Sequence, residues 1–153
     1  RRWLGERSAK DRDVAAEVLR RLAGRTPPFT AGFGPLGAFP SPRRPRVIWI
    51  AVQAGPRLRL LRDELERQLA ADGFGRDDRS FRPHVTLGRA RTDARPGIFR
   101  PFVALSGSLG LDAALPIDSI DLMRSHLGPE GARYERLVEA RLESALPAGG
   151  SSA

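Results

Sequence analysis

The octapeptide RPHVTLGR, residues 82–89, is the most informative stretch of this sequence. Apolar residues alternate there with His84 and Thr86, a pattern that is typical of a β-strand. Residues two apart project from the same face of a strand, so we expect His84 and Thr86 to point together. We expect Val85 and Leu87 to point into the core. A His-x-Thr pattern by itself more often marks an ordinary half-buried pair than a site.

An imidazole and a hydroxyl side by side suit one phosphate group. The His84 side chain can exchange a proton near neutral pH, and the Thr86 hydroxyl can donate a hydrogen bond to a non-bridging oxygen. A strand backbone fixes both groups, which is the rigid placement that catalysis requires. The pair therefore indicates phosphate chemistry if its surroundings agree.

The elements on both sides of this strand predict an α+β domain. Residues 46–52 are β-branched and apolar on both faces, as in a central strand. Residues 29–39 are rich in Gly and aromatic residues and predict one bulged strand or two short strands. Residues 40–45 contain three prolines and predict a basic connecting loop. Residues 99–109, interrupted by Pro101, predict a further strand.

Two helices are predicted, one before and one after the central strand. Ser8 and Asp11 have the spacing of a capping box, and an apolar stripe follows as far as Gly24. The second helix is predicted to end near Gly73. It is indicated by leucines at helical spacing: Leu58, Leu61, Leu65 and Leu69.

The last third of the chain is less well defined by local pattern. Residues 117–124 alternate and predict a strand, whereas residues 134–146 fit a helix slightly better than a strand that closes a hairpin. Residues 147–153 are small and polar and predict a flexible tail. The order helix–strand–strand–helix–strand–strand–strand favours mostly antiparallel sheets.

The composition excludes several classes of protein. The 153 residues suffice for one domain, and the absence of Cys excludes disulfide scaffolds, Cys-ligated zinc and thiol catalysis. No apolar run approaches the roughly 20 residues of a membrane helix, and no signal peptide is visible, so we expect a cytoplasmic protein.

The net charge is +8, and arginine supplies 25 of the 26 cationic side chains. Such a chain attracts polyanions such as RNA, DNA or phosphorylated metabolites.

The octapeptide at 82–89 resembles the second signature of the two-histidine phosphoesterase superfamily. Within that superfamily, the chain is similar to the bacterial RNA 2′,3′-cyclic phosphodiesterases, once described as 2′-5′ RNA ligases. Residues 3–6 resemble the segment that follows the family's first signature, and residues 36–49 resemble its strand–loop–strand. Residues 123–127 and 131–135 resemble its closing hairpin, so the resemblance covers nearly the whole chain.

The resemblance implies a fold and an activity. It implies two pseudo-symmetric lobes around a central cleft, each an antiparallel sheet with flanking helices. Residues 1–146 would then form a single two-lobed domain, and the family also favours a strand over residues 134–142. Members use no metal or organic cofactor and hydrolyse a terminal 2′,3′-cyclic phosphate to a 2′-phosphomonoester. One His activates the attacking water and the other protonates the departing 3′ oxygen.

The resemblance also assigns roles to individual residues. His84 becomes the general acid or base, and Thr86 the hydrogen-bond donor to the phosphate. Arg89 becomes either a phosphate contact or a structural surface residue, because strand parity places it opposite His84 unless the strand bends at Gly88. The implied partner is RNA with a 2′,3′-cyclic phosphate end or a related cyclic nucleotide. We expect no metal, no membrane association and a monomer.

Other basic and aromatic residues have a plainer interpretation. Arg43, Arg44 and Arg46 suit an RNA backbone, but a solvated basic loop is the commoner case. Trp49 lies in a strand pattern and is interpreted as a core residue rather than a platform for a nucleobase.

The family uses two His-x-Thr or His-x-Ser motifs, and this sequence contains one. The first is expected immediately before Trp3, which implies a chain truncated at its N-terminus with an incomplete first lobe. His126 has no hydroxyl residue two positions on and is interpreted as a hairpin residue. We therefore expect this chain to be inactive or nearly so. The alternative is a non-catalytic domain that binds RNA ends or nucleotides; ligation and hydrolysis of other cyclic nucleotides also stay open.

Overall fold

The computed structural model describes residues 4–5, 7–77, 79–90, 99–105, 111–128 and 131–143. Three helices and six strands lie within them, and their order confirms the predicted α+β class. The elements are α1 (Ala9–Ala23), β1 (Phe29–Ser41), β2 (Arg44–Gln53), α2 (Gly55–Ala71), β3 (His84–Arg89), α3 (Arg100–Leu105), β4 (Ala114–Ile117), β5 (Ser119–Gly128) and β6 (Gly131–Arg141). Among the described residues, no helix is long and apolar enough to cross a membrane.

The chain divides into two compact units. The first, the helical unit, comprises the described residues of Arg1–Phe29, Pro56–Arg79 and Ile117–Ala153. It contains α1, α2 and the β5–β6 hairpin. Helix α1 packs against the hairpin, and its capping box forms as predicted, with Ser8 as the N-cap. The buried cluster at the centre of this unit is formed by Ala15, Val18, Leu69 and Phe74.

The β5–β6 hairpin is antiparallel and runs from the pair Ser119–Arg141 to the pair Gly128–Gly131. The strand that the family resemblance implied for residues 134–142 is therefore confirmed through Arg141, and the local helical pattern is misleading there. Pairing with the adjacent strand β5 outweighs the weak helical periodicity, because each cross-strand pair adds backbone and side-chain contacts.

The second unit, the sheet unit, comprises the described residues of Thr30–Gly55 and Ser80–Pro116. Its sheet has the order β3-β2-β1-β4, so β2 is a central strand as predicted. β2 pairs antiparallel with β1 on one side and with β3 on the other. β1 is one long strand whose register shifts between Phe33 and Leu36, which decides between the two predicted forms.

Two expectations for irregular segments are corrected by the structure. The connecting loop predicted over residues 40–45 is confined to the turn at residues 42–43, because β1 continues to Ser41, β2 begins at Arg44, and Pro40 lies opposite Pro45. The two prolines pair at a register shift, where the regular ladder is already interrupted. Residues 100–105 form the short helix α3 rather than a strand. Pro101 is in its first turn, where a missing N–H costs nothing.

Several expectations fall on residues outside the described part of the chain. They are the segment around Trp3, residues 106–109 and the tail at 147–153. The single two-lobed domain stays a prediction.

Candidate active site

His84 and Thr86 lie side by side at the edge of the sheet unit. β3 is the edge strand, and it pairs His84 with Ala51 and Thr86 with Trp49 of the central strand. Both side chains are exposed. They project from the same face, as the alternation predicted, so the imidazole and the hydroxyl are presented together.

The prediction that Val85 and Leu87 point into the core is wrong. Val85 is 41% exposed and Leu87 is 57% exposed, whereas Ile50, opposite Val85, is only 7% exposed. The physical reason is the edge position of β3, since an edge strand has a neighbour on one side only.

A register shift brings Arg89 onto the face of His84 and Thr86. Trp49 pairs with Thr86 but Ile48 pairs with Gly88, so Leu87 is an extra residue in β3. Beyond this bulge Arg89 lies opposite Val47. Because Val47 and Trp49 share a face of β2, Arg89 shares that face with Thr86. The strand parity that placed Arg89 on the opposite side is therefore reversed by the bulge next to Gly88.

The imidazole of His84 is held in one orientation by the backbone of the segment that precedes β3. Its Nδ1 is 2.6 Å from the carbonyl oxygen of Arg82. A carbonyl only accepts hydrogen bonds, so Nδ1 carries the proton in the neutral ring and Nε2 holds the lone pair. Nε2 is therefore the nitrogen of His84 that can take or give a proton.

Two aromatic rings support the imidazole. The ring of Phe39 meets His84 edge to face with 5.5 Å between centroids, and the indole of Trp49 lies 5.9 Å away. The rings of Phe39 and Trp49 also contact each other, with 5.2 Å between their centroids and an angle of 32° between their planes. The three rings form an aromatic cluster on the site face, which orients His84 by contact as well as by hydrogen bonding.

Gly37 makes room for this cluster. It lies opposite Trp49, and a Cβ at position 37 would overlap the Cζ2 and Cη2 atoms of the indole. The indole Nε1 is buried and has no hydrogen-bond partner among the described residues. The sequence predicted Trp49 as a core residue and gave no role to Phe39 or Gly37. Residues 47 and 49 of β2 share a face with Thr86, and Phe39 and Gly37 lie opposite them on β1. The pairing of these three strands is the information that identifies both residues.

His126 lies in a different setting, on the β5–β6 hairpin. Its Nε2 is 2.9 Å from an Oε2 oxygen of Glu135, and Arg124 lies 3.6 Å from the same oxygen. The hydrogen bond from His126 lowers the pKa of Glu135, and the charge of Arg124 adds to this effect. His126 is therefore part of a surface ion-pair network, as expected of a hairpin residue. Within the described ranges, no group of three or more His, Asp or Glu side chains could hold a metal ion.

Comparison with known proteins gives consistent matches. A profile of the 2′-5′ RNA ligase superfamily matches residues 4–129. A protein of Aeropyrum pernix named RNA 2′,3′-cyclic phosphodiesterase is 37% identical over 145 residues, which cover 94% of this chain and 80% of that protein. A crystal structure of a Thermus thermophilus protein superposes with a TM-score of 0.72 at 28% identity, covering 92% of this chain and 75% of that one. The crystal structure of E. coli LigT complexed with 3′-AMP superposes with a TM-score of 0.67 at 26% identity, covering 92% of this chain and 74% of that one.

Proposed function

Because the chain belongs to the 2′-5′ RNA ligase superfamily, we propose that it acts on RNA ends that carry a 2′,3′-cyclic phosphate. The observation that carries the proposal is the pair His84 and Thr86, side by side and exposed on β3, with Nδ1 of the imidazole engaged by Arg82. The name of the Aeropyrum pernix relative supports the same substrate.

The chemistry is hydrolysis of a cyclic phosphodiester. Water attacks phosphorus, the bond from phosphorus to the 3′ oxygen breaks, and the product carries a 2′-phosphomonoester and a free 3′ hydroxyl. Nε2 of His84 either takes a proton from the water or gives one to the 3′ oxygen. The Thr86 hydroxyl donates to a non-bridging oxygen, and Arg89 adds positive charge on the same face.

We also propose that this polypeptide hydrolyses its substrate slowly. One imidazole cannot act as base on one side of phosphorus and as acid on the other in a single step. Among its 153 residues only His84 lies in a His-x-Thr motif. Since one positioned acid or base contributes about 10²–10⁴-fold, turnover should be lower by about that factor than in a relative with both motifs.

The test is a single-turnover assay on an end-labelled RNA oligonucleotide with a 2′,3′-cyclic phosphate. The variants are the wild type, His84→Ala and His126→Ala, and the Aeropyrum pernix relative serves as the reference enzyme. We expect slow formation of a 2′-phosphate end that His84→Ala abolishes and His126→Ala leaves unchanged. Turnover that survives His84→Ala would contradict the assigned site, and turnover at the level of the reference enzyme would contradict the proposed impairment.

The alternative function is a non-catalytic domain that binds RNA ends. One imidazole suffices to recognise a phosphate but not to complete the reaction. Binding of the cyclic end that needs His84, without any product, would establish this alternative. The expected cytoplasmic location and monomeric state stay predictions.

A further inference from the structure

Gln53, a polar residue that the proposed reaction does not use, lies on the face of the sheet that carries His84. It is the last residue of β2 and follows Ala51 by two positions. Ala51 pairs with His84, and the pairing with the β3 side continues, because the N–H of Val52 donates to the carbonyl oxygen of Pro83 at 3.0 Å. Residues two apart share a face of a strand, so Gln53 and His84 are on the same side of the sheet.

The contacts at Gly34 give the same placement independently. A Cβ at position 34 would lie 3.0 Å from the Cβ of Ala51 and 2.8 Å from Nε2 of Gln53. A single point above Gly34 is therefore close to both side chains, which requires that they share a face. The lack of a side chain at Gly34 leaves the space that the Gln53 amide occupies.

The amide of Gln53 has hydrogen-bonding groups to spare. The residue is exposed, and its side chain makes no hydrogen bond with any residue that the structure describes. The other glutamine of the chain, Gln68, is buried, and its amide bonds to Arg21 and Glu64. An amide presents an acceptor oxygen beside an N–H₂ donor, so Gln53 suits a neutral partner that carries both kinds of group.

The sheet leaves room for such a partner beside His84. Thr86, the proposed phosphate donor, lies two residues from His84 in one direction along the sheet. Gln53 lies two residues from Ala51, and so about 7 Å away, in the opposite direction. Ala51 and Gly34, which lie between, have the smallest side chains. A flat ring can rest over them while its polar edge meets the Gln53 amide.

A nucleobase is the neutral group that a nucleotide places beside its phosphate. Adenine presents an amino donor at N6 next to an acceptor at N7, and the amide of glutamine pairs with both. On the corresponding edge, uracil presents a carbonyl acceptor with no donor next to it. A glutamine amide at this position therefore distinguishes the two bases.

We infer that Gln53 is a specificity-determining residue, which binds the base of the terminal nucleotide and favours adenine over uracil. This inference rests on the proposed function, in which His84 and Thr86 hold the terminal phosphate. With the phosphate there, the base lies over Ala51 and Gly34. The Gln53 amide then donates to N7 and accepts a hydrogen bond from the N6 amino group.

The experiment measures binding by calorimetry, so it needs no turnover. The ligands are adenosine 2′-phosphate, uridine 2′-phosphate and inorganic phosphate. Gln53→Met keeps the length of the side chain and removes the amide. Gly34→Ala keeps the amide but places a Cβ where Nε2 now lies, so the side chain must move away. The matched control is Arg59→Met, which adds an exposed methionine on α2 in the helical unit.

The wild type should bind adenosine 2′-phosphate about tenfold more tightly than uridine 2′-phosphate, as expected for one bidentate contact to a base. Both Gln53→Met and Gly34→Ala should reduce this ratio to about twofold or less, because each removes the amide from the base. Neither variant should change the affinity for inorganic phosphate. Arg59→Met should keep the ratio of the wild type.

Equal affinity of the wild type for the two nucleotides would overturn the inference, as would a ratio that Gln53→Met leaves unchanged. In both cases, binding of the phosphate group that is lost in His84→Ala would leave the proposed function standing. If the wild type bound none of the three ligands, or if His84→Ala bound them equally well, the proposed function would fail together with the inference.

Discussion

The most specific packing prediction concerns Gly37, on which the indole of Trp49 rests. A Cβ at this position would overlap two indole atoms and would lie 2.7 Å from a third, Cε2. The Gly37→Ala variant must therefore displace the indole or the backbone of β1. The indole also contacts the rings of His84 and Phe39, so its displacement should disturb the whole aromatic cluster.

Two opposing effects set the size of the change. Overpacking in a well-filled site destabilises by about 1–3 kcal/mol. Replacing Gly by Ala recovers about 0.4–1 kcal/mol by restricting the unfolded chain. We expect Gly37→Ala to lower the free energy of unfolding by about 1–2 kcal/mol and to weaken binding of adenosine 2′-phosphate, because His84 loses its support.

The matched control is Gly32→Ala, on the same strand. A Cβ at Gly32 would meet the carbonyl oxygen of Gln53 at 4.0 Å, an ordinary contact, so this variant should be neutral or slightly stabilised. Urea unfolding gives the difference in free energy at constant m-value, and near-ultraviolet circular dichroism reports on the indole. If Gly37→Ala unfolded at the same urea concentration as Gly32→Ala with an unchanged aromatic spectrum, the described packing of Trp49 would be wrong.

Three further predictions test the local chemistry. The two histidines should be opposite tautomers when neutral, His84 protonated at Nδ1 and His126 at Nε2; ¹⁵N chemical shifts read this directly, and the same tautomer in both would contradict the hydrogen bonds at 2.6 and 2.9 Å. The hydrogen bond from Arg67 lowers the pKa of Glu64 from 4.5 to about 2, so its stabilisation is present above pH 4.5 and is lost as the pH falls towards 2. Glu64→Gln should flatten acid unfolding in that range by about 1 kcal/mol or less, since a side chain that is 33% exposed is screened by solvent; an unchanged acid profile would count against it. Ser8→Ala removes the cap of α1 and should cost about 1 kcal/mol in urea unfolding, whereas an unchanged midpoint would show that the capping box contributes nothing.

Local chemistry in the sequence predicted the elements that depend on near neighbours. Ser8 caps α1 because a hydroxyl and a carboxylate at this spacing satisfy free backbone N–H groups, and no tertiary contact is needed. The β-branched run at 46–52 became the central strand for a similarly local reason. The family to which the octapeptide at 82–89 pointed is confirmed, since that motif combines a strand with a specific set of polar residues.

Features that depend on the register between strands were beyond the sequence pattern. The bulge at Leu87 reverses strand parity, and only the pairing with the neighbouring strand reveals it. For the same reason, the position of Arg89 on the site face did not follow from alternation. The exposure of Val85 likewise depends on the edge position of β3, which alternation within one strand does not encode.

The assignment of the phosphate to the His84–Thr86 pair is tested by titrating this protein with adenosine 2′-phosphate while NMR follows its two imidazoles. The resonances of His84 should shift and saturate while those of His126 stay in place. Thr86→Val should weaken the binding that the His84 resonances report. A saturating shift of His126 with His84 unmoved, or a Thr86→Val variant that binds as tightly as the wild type, would contradict the assignment of the phosphate to the His84–Thr86 pair.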